Sequence, residues 1–339
     1  MNQDRRDIRL ALPSKGRLAD DALELLASSG LRVHKPNPRQ YAAIIPSLPG
    51  ITVLFQRPGD IVVSIRDGSV DFGITGWDVV SEGALAANDG NGSVLTLLKN
   101  LGFGECTLNV IVPENWSSVK RMVDLGQIQA KIEHPSLRIA TKFHQLTKDF
   151  FIKHGYEDIR LISAEGTLEI APSIGYADLI VDLVSTGTTL RDNRLRTLQD
   201  GLILESQACL IANKITLRKR PEVLAIAKRL LEFIVANLRA EENVAIFANV
   251  RSDSPEAIAA SIFKKKVIGG LQGPTISPVI AREGGDWFAV NIIVRKDQLA
   301  DAIEELRDIG GSGVIVSPVN FIFEEEPPAY RDMLAALEG

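Results

Sequence analysis

The sequence predicts an α/β protein of more than one domain, closed by a smaller β-α-β-β-α-β module. Three observations predict this. Short apolar runs alternate with amphipathic stretches along the first two thirds of the chain. The last third changes to one strand–helix–strand–strand–helix–strand series, the ferredoxin-like split unit. At 339 residues the chain exceeds what one ordinary core organises, so two or three domains are expected.

Taken in order, Ile8–Leu12 is a short apolar strand that meets the turn Pro13-Ser14-Lys15-Gly16-Arg17. A helix follows from about Leu18 to Ser28, with Leu18, Ala22, Leu25 and Leu26 on one face and Gly30 as its stop. Further strands are predicted at Ile51–Phe55, Phe72–Thr75, Leu95–Leu98, Cys106–Val112, Arg138–Thr141, Ile159–Ser163 and Ala177–Val184. Helices are predicted at Pro58–Ile65, Ser117–Asp124 and His144–His154. The alternation implies parallel sheets flanked by helices. Leu202–Asn213 reads as one more strand region, and Pro221–Glu241 as a long helix. The terminal module holds the strand Val244–Val250 and the helix Ser254–Val267, with Ser254 as N-cap and Pro255 in the first turn. Strands Thr275–Ala281 and Trp287–Val294 flank the hairpin signal Arg282-Glu283-Gly284-Gly285-Asp286. The helix Gln298–Ile309 and the strand Gly313–Pro318 complete it.

Composition excludes several classes. A net charge of −5 argues against a nucleic-acid surface. No apolar run approaches the roughly 20 residues of a membrane helix. The charged start Met1–Asp7 leads into a strand and shows no signal peptide, so the cytoplasm is expected. Cys106 and Cys209 sit among apolar residues and read as buried free thiols. His134, His144 and His154 fall ten apart, a spacing that suits neither a helical metal pair nor a zinc loop.

The residues with chemistry gather at strand ends. Asp178 and Asp182 lie four apart in an apolar strand and so share a face. Charges there must be paired or used. Asp182 is near the C-terminal end, where ligands bind in open α/β sheets. Ser185, Thr186, Gly187, Thr188 and Thr189 then turn into a helix. Their hydroxyls and backbone N–H groups suit an anion, and the helix start adds partial positive charge. A well-capped helix after a turn is the plain alternative; Asp182 beside it favours phosphate. Lys15 and Arg17, with Gly16 between them, suit a polyphosphate or form a solvated basic turn. Thr75, Gly76 and Asp78 form a second strand-to-turn site, and two such turns face to face would make a cleft. Leu101–Cys106, with Gly102 and Gly104, is a hinge or an ordinary glycine turn. Glu169 is a surface residue or a second carboxylate for a sugar.

Together these segments resemble the ATP phosphoribosyltransferase family of histidine biosynthesis. The resemblance is carried by Leu12–Leu18, Asp71–Asp78 with Glu82, Leu101–Cys106, Gly166–Pro172 and Ala177–Leu190. The family's aromatic–proline pair after the strand threonine stands here as Phe143-His144. The resemblance implies two lobes of the periplasmic-binding-protein type, residues 1–104 with 193–240 and residues 105–192. Residues 241–339 would be a ferredoxin-like regulatory domain similar to that of the long form, with Gly273–Pro278 and Ser312-Gly313 fitting its pattern. It further implies feedback inhibition by histidine, no need of a separate regulatory subunit, and homo-oligomers, dimers or hexamers. The implied reaction is attack of N1 of ATP on the anomeric carbon of phosphoribosyl pyrophosphate, with Mg2+ on the pyrophosphate. On that reading Ser185–Thr189 hold the 5′-phosphate. Asp182, with Asp178 or Glu169, holds ribose hydroxyls or metal-bound water. Lys15, Gly16, Arg17, Thr75, Gly76 and Asp78 meet ATP or pyrophosphate. A bilobed cytoplasmic sensor, or a phosphoribosyltransferase for another base, are the alternatives.

Overall fold

The structure is a computed structural model and describes residues 7–35, 37, 40, 42–87, 92–129, 136–164, 166, 168–280 and 285–338. Met1–Arg6, His134, Thr167 and the hairpin residues 281–284 of the sequence reading lie outside the described residues. The chain divides into two compact units. The larger takes the chain up to Ala227 and again from Asp332; the smaller takes Lys228–Arg331 with Ser28–Gly30.

The larger unit contains eleven strands among the described residues. They are β1 (Ile8–Pro13), β2 (Ala42–Ile44), β3 (Ile51–Gln56), β4 (Phe72–Gly76), β5 (Val94–Leu98), β6 (Cys106–Pro113), β7 (Leu137–Thr141), β8 (Ile159–Ser163), β9 (Leu179–Val184), β10 (Leu195–Ser206) and β11 (Ala208–Asn213). They form two sheets, ordered β2-β3-β1-β4-β11-β5 and β10-β6-β9-β7-β8. Each sheet has a parallel centre, β1 with β3 and β4 in one, β7 with β8 and β9 in the other. Leu10, Ala11 and Leu12, like Leu179, Ile180 and Val181, are wholly buried. That is why these strands read as unbroken apolar runs: helices cover both faces.

The expectation of parallel sheets holds only for those centres. β6 and β11 each arrive from the other sheet through a short link, with no crossover helix, and pair antiparallel. One link joins β5 to β6, and Gln207 alone joins β10 to β11. They run side by side, since Ser206 is the register partner of Cys106. Gly104 in the first link has φ +74, and a β-carbon there would meet Leu18 and the Ala208 backbone. Glycine is therefore required.

The structure corrects several expectations. Leu202–Asn213 is two strands in two sheets, so the chain returns to the first sheet at Gln207, not at residue 193. β10 is an edge strand with mixed exposure and a register shift between Thr197 and Leu202, so no apolar period marks its start. Ser117–Asp124 is mainly turns, with a 3-10 stretch at Met122–Asp124 and a short helix at Leu125–Gln129. The buried Val119, Met122 and Leu125, three apart, anchor successive turns there instead of one helix face. A helix at Trp77–Ala87, directly after Gly76, was not anticipated. The border between units falls after Ala227, inside the helix Pro221–Glu241 and not at its end.

The smaller unit holds β12 (Asn243–Arg251), β13 (Thr275–Pro278), β14 (Trp287–Arg295) and β15 (Gly311–Pro318) in the antiparallel order β13-β14-β12-β15. Helices Pro255–Ile262 and Leu299–Asp308 bury Ile258, Ile262, Ala302 and Leu306 in its core. This is the ferredoxin-like unit expected. Ser254 caps its helix, accepting from the Ala257 N–H at 3.2 Å. The helix ends at Ile262, five residues early, and the carboxylate of Glu305 collects the N–H groups of Lys266, Val267 and Ile268 beyond it. No helix among the described residues is long and apolar enough to cross a membrane.

Candidate active site

A cleft of about 1200 Å³ opens in the larger unit. Its walls come from the C-terminal ends of parallel strands in both sheets: Arg17 after β1, Pro58 after β3, Gly76 of β4, Lys142 after β7 and Ser185 after β9. This is the edge at which α/β sheets bind ligands. The two links complete the walls through Lys99, Gly102–Cys106, Ser206 and Gln207.

On the first-sheet side, Gly16 has φ +80 and its carbonyl accepts from the N–H groups of Ala19 and Asp20, which starts the helix Arg17–Ser28. Arg17 is 81% exposed in its side chain and forms a long pair with Asp21, at 3.5 Å. Both line the cleft, whereas Lys15 is exposed and outside its walls. Asp78 is buried and exchanges two hydrogen bonds with Ser206: its N–H donates to Oγ at 2.9 Å, and that hydroxyl donates to Oδ1 at 2.8 Å. The start of the helix Trp77–Ala87 is thereby tied to the end of β10. A β-carbon at Gly76 would stand 2.2 Å from Asp78 Oδ1, so only glycine fits. Thr75 is corrected: it is wholly buried and not among the cleft walls, and its hydroxyl donates to the carbonyl of the wall residue Pro58 at 3.0 Å.

On the second-sheet side, Asp182 precedes the cleft-lining Leu183–Ser185, and its Oδ1 accepts from the Leu183 N–H at 2.8 Å. Burial is the largest influence on its carboxyl and raises the pKa; the Leu183 N–H and Lys142 lower it, while Glu169 and Asp78 raise it. Asp182, Lys142, Glu169 and Asp78 therefore share one electrostatic neighbourhood. Glu169 is held there by a 3-10 turn, Leu168–Ile170, anchored on buried Leu168.

Asp178 is corrected. It lies just before β9, at the end away from the cleft, and its carboxylate accepts from the backbone N–H and the guanidinium of Arg138 at 2.7 and 2.9 Å. Four residues of strand separate it from Asp182 by about 13 Å. Sharing a face did not mean sharing a site.

The Ser185–Thr189 loop is open to solvent, with Gly187 at φ +69 and the hydroxyls of Thr186 and Thr188 3.2 Å apart. The helix after it spans only Thr188–Asp192. Its dipole is correspondingly small, which corrects that part of the anion argument and leaves the N–H groups and hydroxyls to carry it. Cys106 is also corrected: it is only half-buried and lines the cleft. Its thiol is pushed up by burial and then by Asp78. Cys209 is a buried free thiol as expected, pushed up to about 12 by burial.

Three residues escaped the sequence reading in these roles. Lys142 lines the cleft from the turn after β7, its Nζ 5.0 Å from the centre of the Phe143 ring. Its place directly after a strand was the available signal. Lys99 lines the cleft 5.8 Å from the Trp77 ring. Glu82, already part of the family resemblance, accepts from the N–H groups of Gln145 and Leu146 at 2.8 and 3.0 Å. Phe143 itself is buried in the core of the second sheet, and His144 opens the helix His144–Lys153.

Comparison with known proteins agrees along the whole chain. Residues 57–232 match the family model described as ATP phosphoribosyltransferase, and residues 240–321 match that described as HisG, C-terminal domain. The chain is 41% identical to ATP phosphoribosyltransferase 2, chloroplastic, of Arabidopsis thaliana, covering 98% of this chain and 81% of that one. It is 32% identical to ATP phosphoribosyltransferase of Rhodopseudomonas palustris, covering 97% and 98%. Among solved structures, the ATP phosphoribosyl transferase (HisG:HisZ) complex from Thermotoga maritima superposes with a TM-score of 0.51 at 26% identity, covering 67% of this chain and 97% of that one. With a family match over more than half its length and relatives aligned nearly end to end, the chain belongs to the ATP phosphoribosyltransferase family.

Proposed function

We propose that the protein transfers the phosphoribosyl group of phosphoribosyl pyrophosphate to N1 of ATP and releases pyrophosphate, the first step of histidine biosynthesis. The observation that carries this reading is the single cleft that gathers the strand ends of both sheets. It brings the cations Arg17, Lys99 and Lys142 to the same space as the Ser185 loop. Ser185, Thr186, Gly187, Thr188 and Thr189 hold the 5′-phosphate through hydroxyls and N–H groups. Asp182, with Glu169, takes the ribose hydroxyls. Arg17, Lys99 and Lys142 balance the charge of diphosphate and ATP. Asp178 and Thr75 have structural work and leave this list; Lys15 stays on the solvent side.

The C1′–N1 bond forms as the C1′–O bond breaks, and diphosphate leaves with the bonding pair. Positive charge builds along C1′ and the ring oxygen, where a fixed carboxylate stabilises it. No covalent intermediate is needed, and the raised pKa of Cys106 keeps it a thiol, a poor nucleophile. Among the described residues no three His, Cys, Asp or Glu side chains gather into a metal site. Magnesium would come in with the diphosphate, whose phosphate oxygens together with one or two carboxylates satisfy it.

The smaller unit serves as a regulatory domain answering to histidine, in a homo-oligomer of the cytoplasm. The test is an assay with ATP, magnesium and phosphoribosyl pyrophosphate. Pyrophosphate should appear in step with phosphoribosyl-ATP; tight binding without release would make the protein a sensor, and release with another base would change the acceptor. Added histidine should slow turnover. Insensitivity of the full chain would remove the regulatory assignment.

A further inference from the structure

We propose that Glu82 is a positioning residue for the transfer reaction: reaching from the first lobe, it caps the helix that follows Lys142 in the second and so fixes Lys142 in the cleft. The inference rests on the reading that Lys142 meets a substrate anion. A helix begins with backbone N–H groups that need acceptors. For the helix His144–Lys153 the N-cap residue is Phe143, whose ring cannot accept, and no side-chain cap is formed from it. The acceptors come from Glu82, whose two carboxylate oxygens take Gln145 and Leu146 at 2.8 and 3.0 Å. Glu82 lies 63 residues away in sequence from the first of these. It stands on the helix Trp77–Ala87, whose first turn lines the cleft and is tied to Ser206. Val79 of that helix packs on the cores of both sheets.

Lys142 is thus bracketed. Behind it the Thr141 hydroxyl accepts from the Phe143 N–H at 3.0 Å, and ahead of it Glu82 holds the helix start. Cutting the second tie lets the turn and its lysine shift while both lobes stay folded. Displacements of about 1 Å at a reacting centre cost up to about a hundredfold in rate.

The experiment is a double-mutant cycle on the full chain with Glu82→Gln, Glu82→Ala, Lys142→Ala and the combined Glu82→Gln/Lys142→Ala. Glu82→Gln keeps the shape and leaves one acceptor oxygen, so it remains informative if the alanine variant fails to fold. The expected result is a kcat about tenfold lower for Glu82→Gln, with its thermal midpoint close to that of the parent. The double variant should be no slower than Lys142→Ala alone. Normal kcat in both Glu82 variants overturns the proposal, as does a loss that multiplies with that of Lys142→Ala. A fully active Lys142→Ala instead refutes the underlying reading of the cleft, whatever Glu82 does.

Discussion

Asp178 precedes β9 and Asp182 lies within it, in the same apolar run and on the same face, yet their surroundings are opposite. Asp178, before the first residue of β9, meets a guanidinium and a backbone N–H of Arg138. Those donors consume its charge in fastening one strand to its neighbour, and Asp178 in turn raises the Arg138 pKa. Asp182 stands near the other end, where burial disfavours its charge and Lys142 supports it. A carboxylate spent on an ion pair stabilises the fold. One kept in a partly desolvated cleft stores a charge that a cationic transition state can use. Position along a parallel strand decides which of the two a residue becomes.

Several measurements can break or sharpen this contrast. Asp182→Asn should lower kcat by about a hundredfold with the fold intact, read in the pyrophosphate assay; near-normal turnover would remove Asp182 from the site. The same variant should melt no lower than the parent at neutral pH. The sign follows from the raised pKa: what protonated Asp182 adds to stability is present below its unfolded pKa and lost as pH rises through the folded one. Asparagine abolishes that loss, and a clear fall in the thermal midpoint would contradict it. Gly187→Ala places a side chain at φ +69 and costs about 1 kcal/mol of local strain, enough to raise KM for the phosphoribosyl donor about fivefold. An unchanged KM would separate the loop from the donor. Asp178→Asn should do the reverse of Asp182→Asn, losing about 2 kcal/mol in a urea melt while kcat stays within about twofold of the parent. The smallest effect is on pH dependence. The acid limb of kcat/KM should lie higher than an ordinary aspartate would set it, and Lys142→Met should move it higher still by removing the charge that lowers Asp182. A limb that moves down would assign it to another group.

How much of this was legible beforehand varies with the range of the interaction. The β1 turn, the Ser185 loop and the β-α-β-β-α-β module were legible because apolar period, glycine and capping residues act within a few positions. The split of Leu202–Asn213 was not, since the sheet to which β10 belongs is settled by its pairing with β6, some 90 residues earlier. The structural fate of Asp178 was hidden for a similar reason: its partner Arg138 lies 40 residues away. Lys99 and Lys142 look like any solvated lysine until the two sheets are set against each other. Glu82 was legible only as part of the family resemblance, because the N–H groups it caps belong to another lobe.

The pairing of Cys106 with Ser206 has a consequence for how such a protein could arise and be remade. The second lobe leaves and re-enters the first at neighbouring rungs of one ladder. It is therefore an insert whose ends already meet, adding little closure entropy to its host. Residues 106–206 could be excised as a cassette and the gap bridged by a short loop, or the gene cut and rejoined there, without rethreading either sheet.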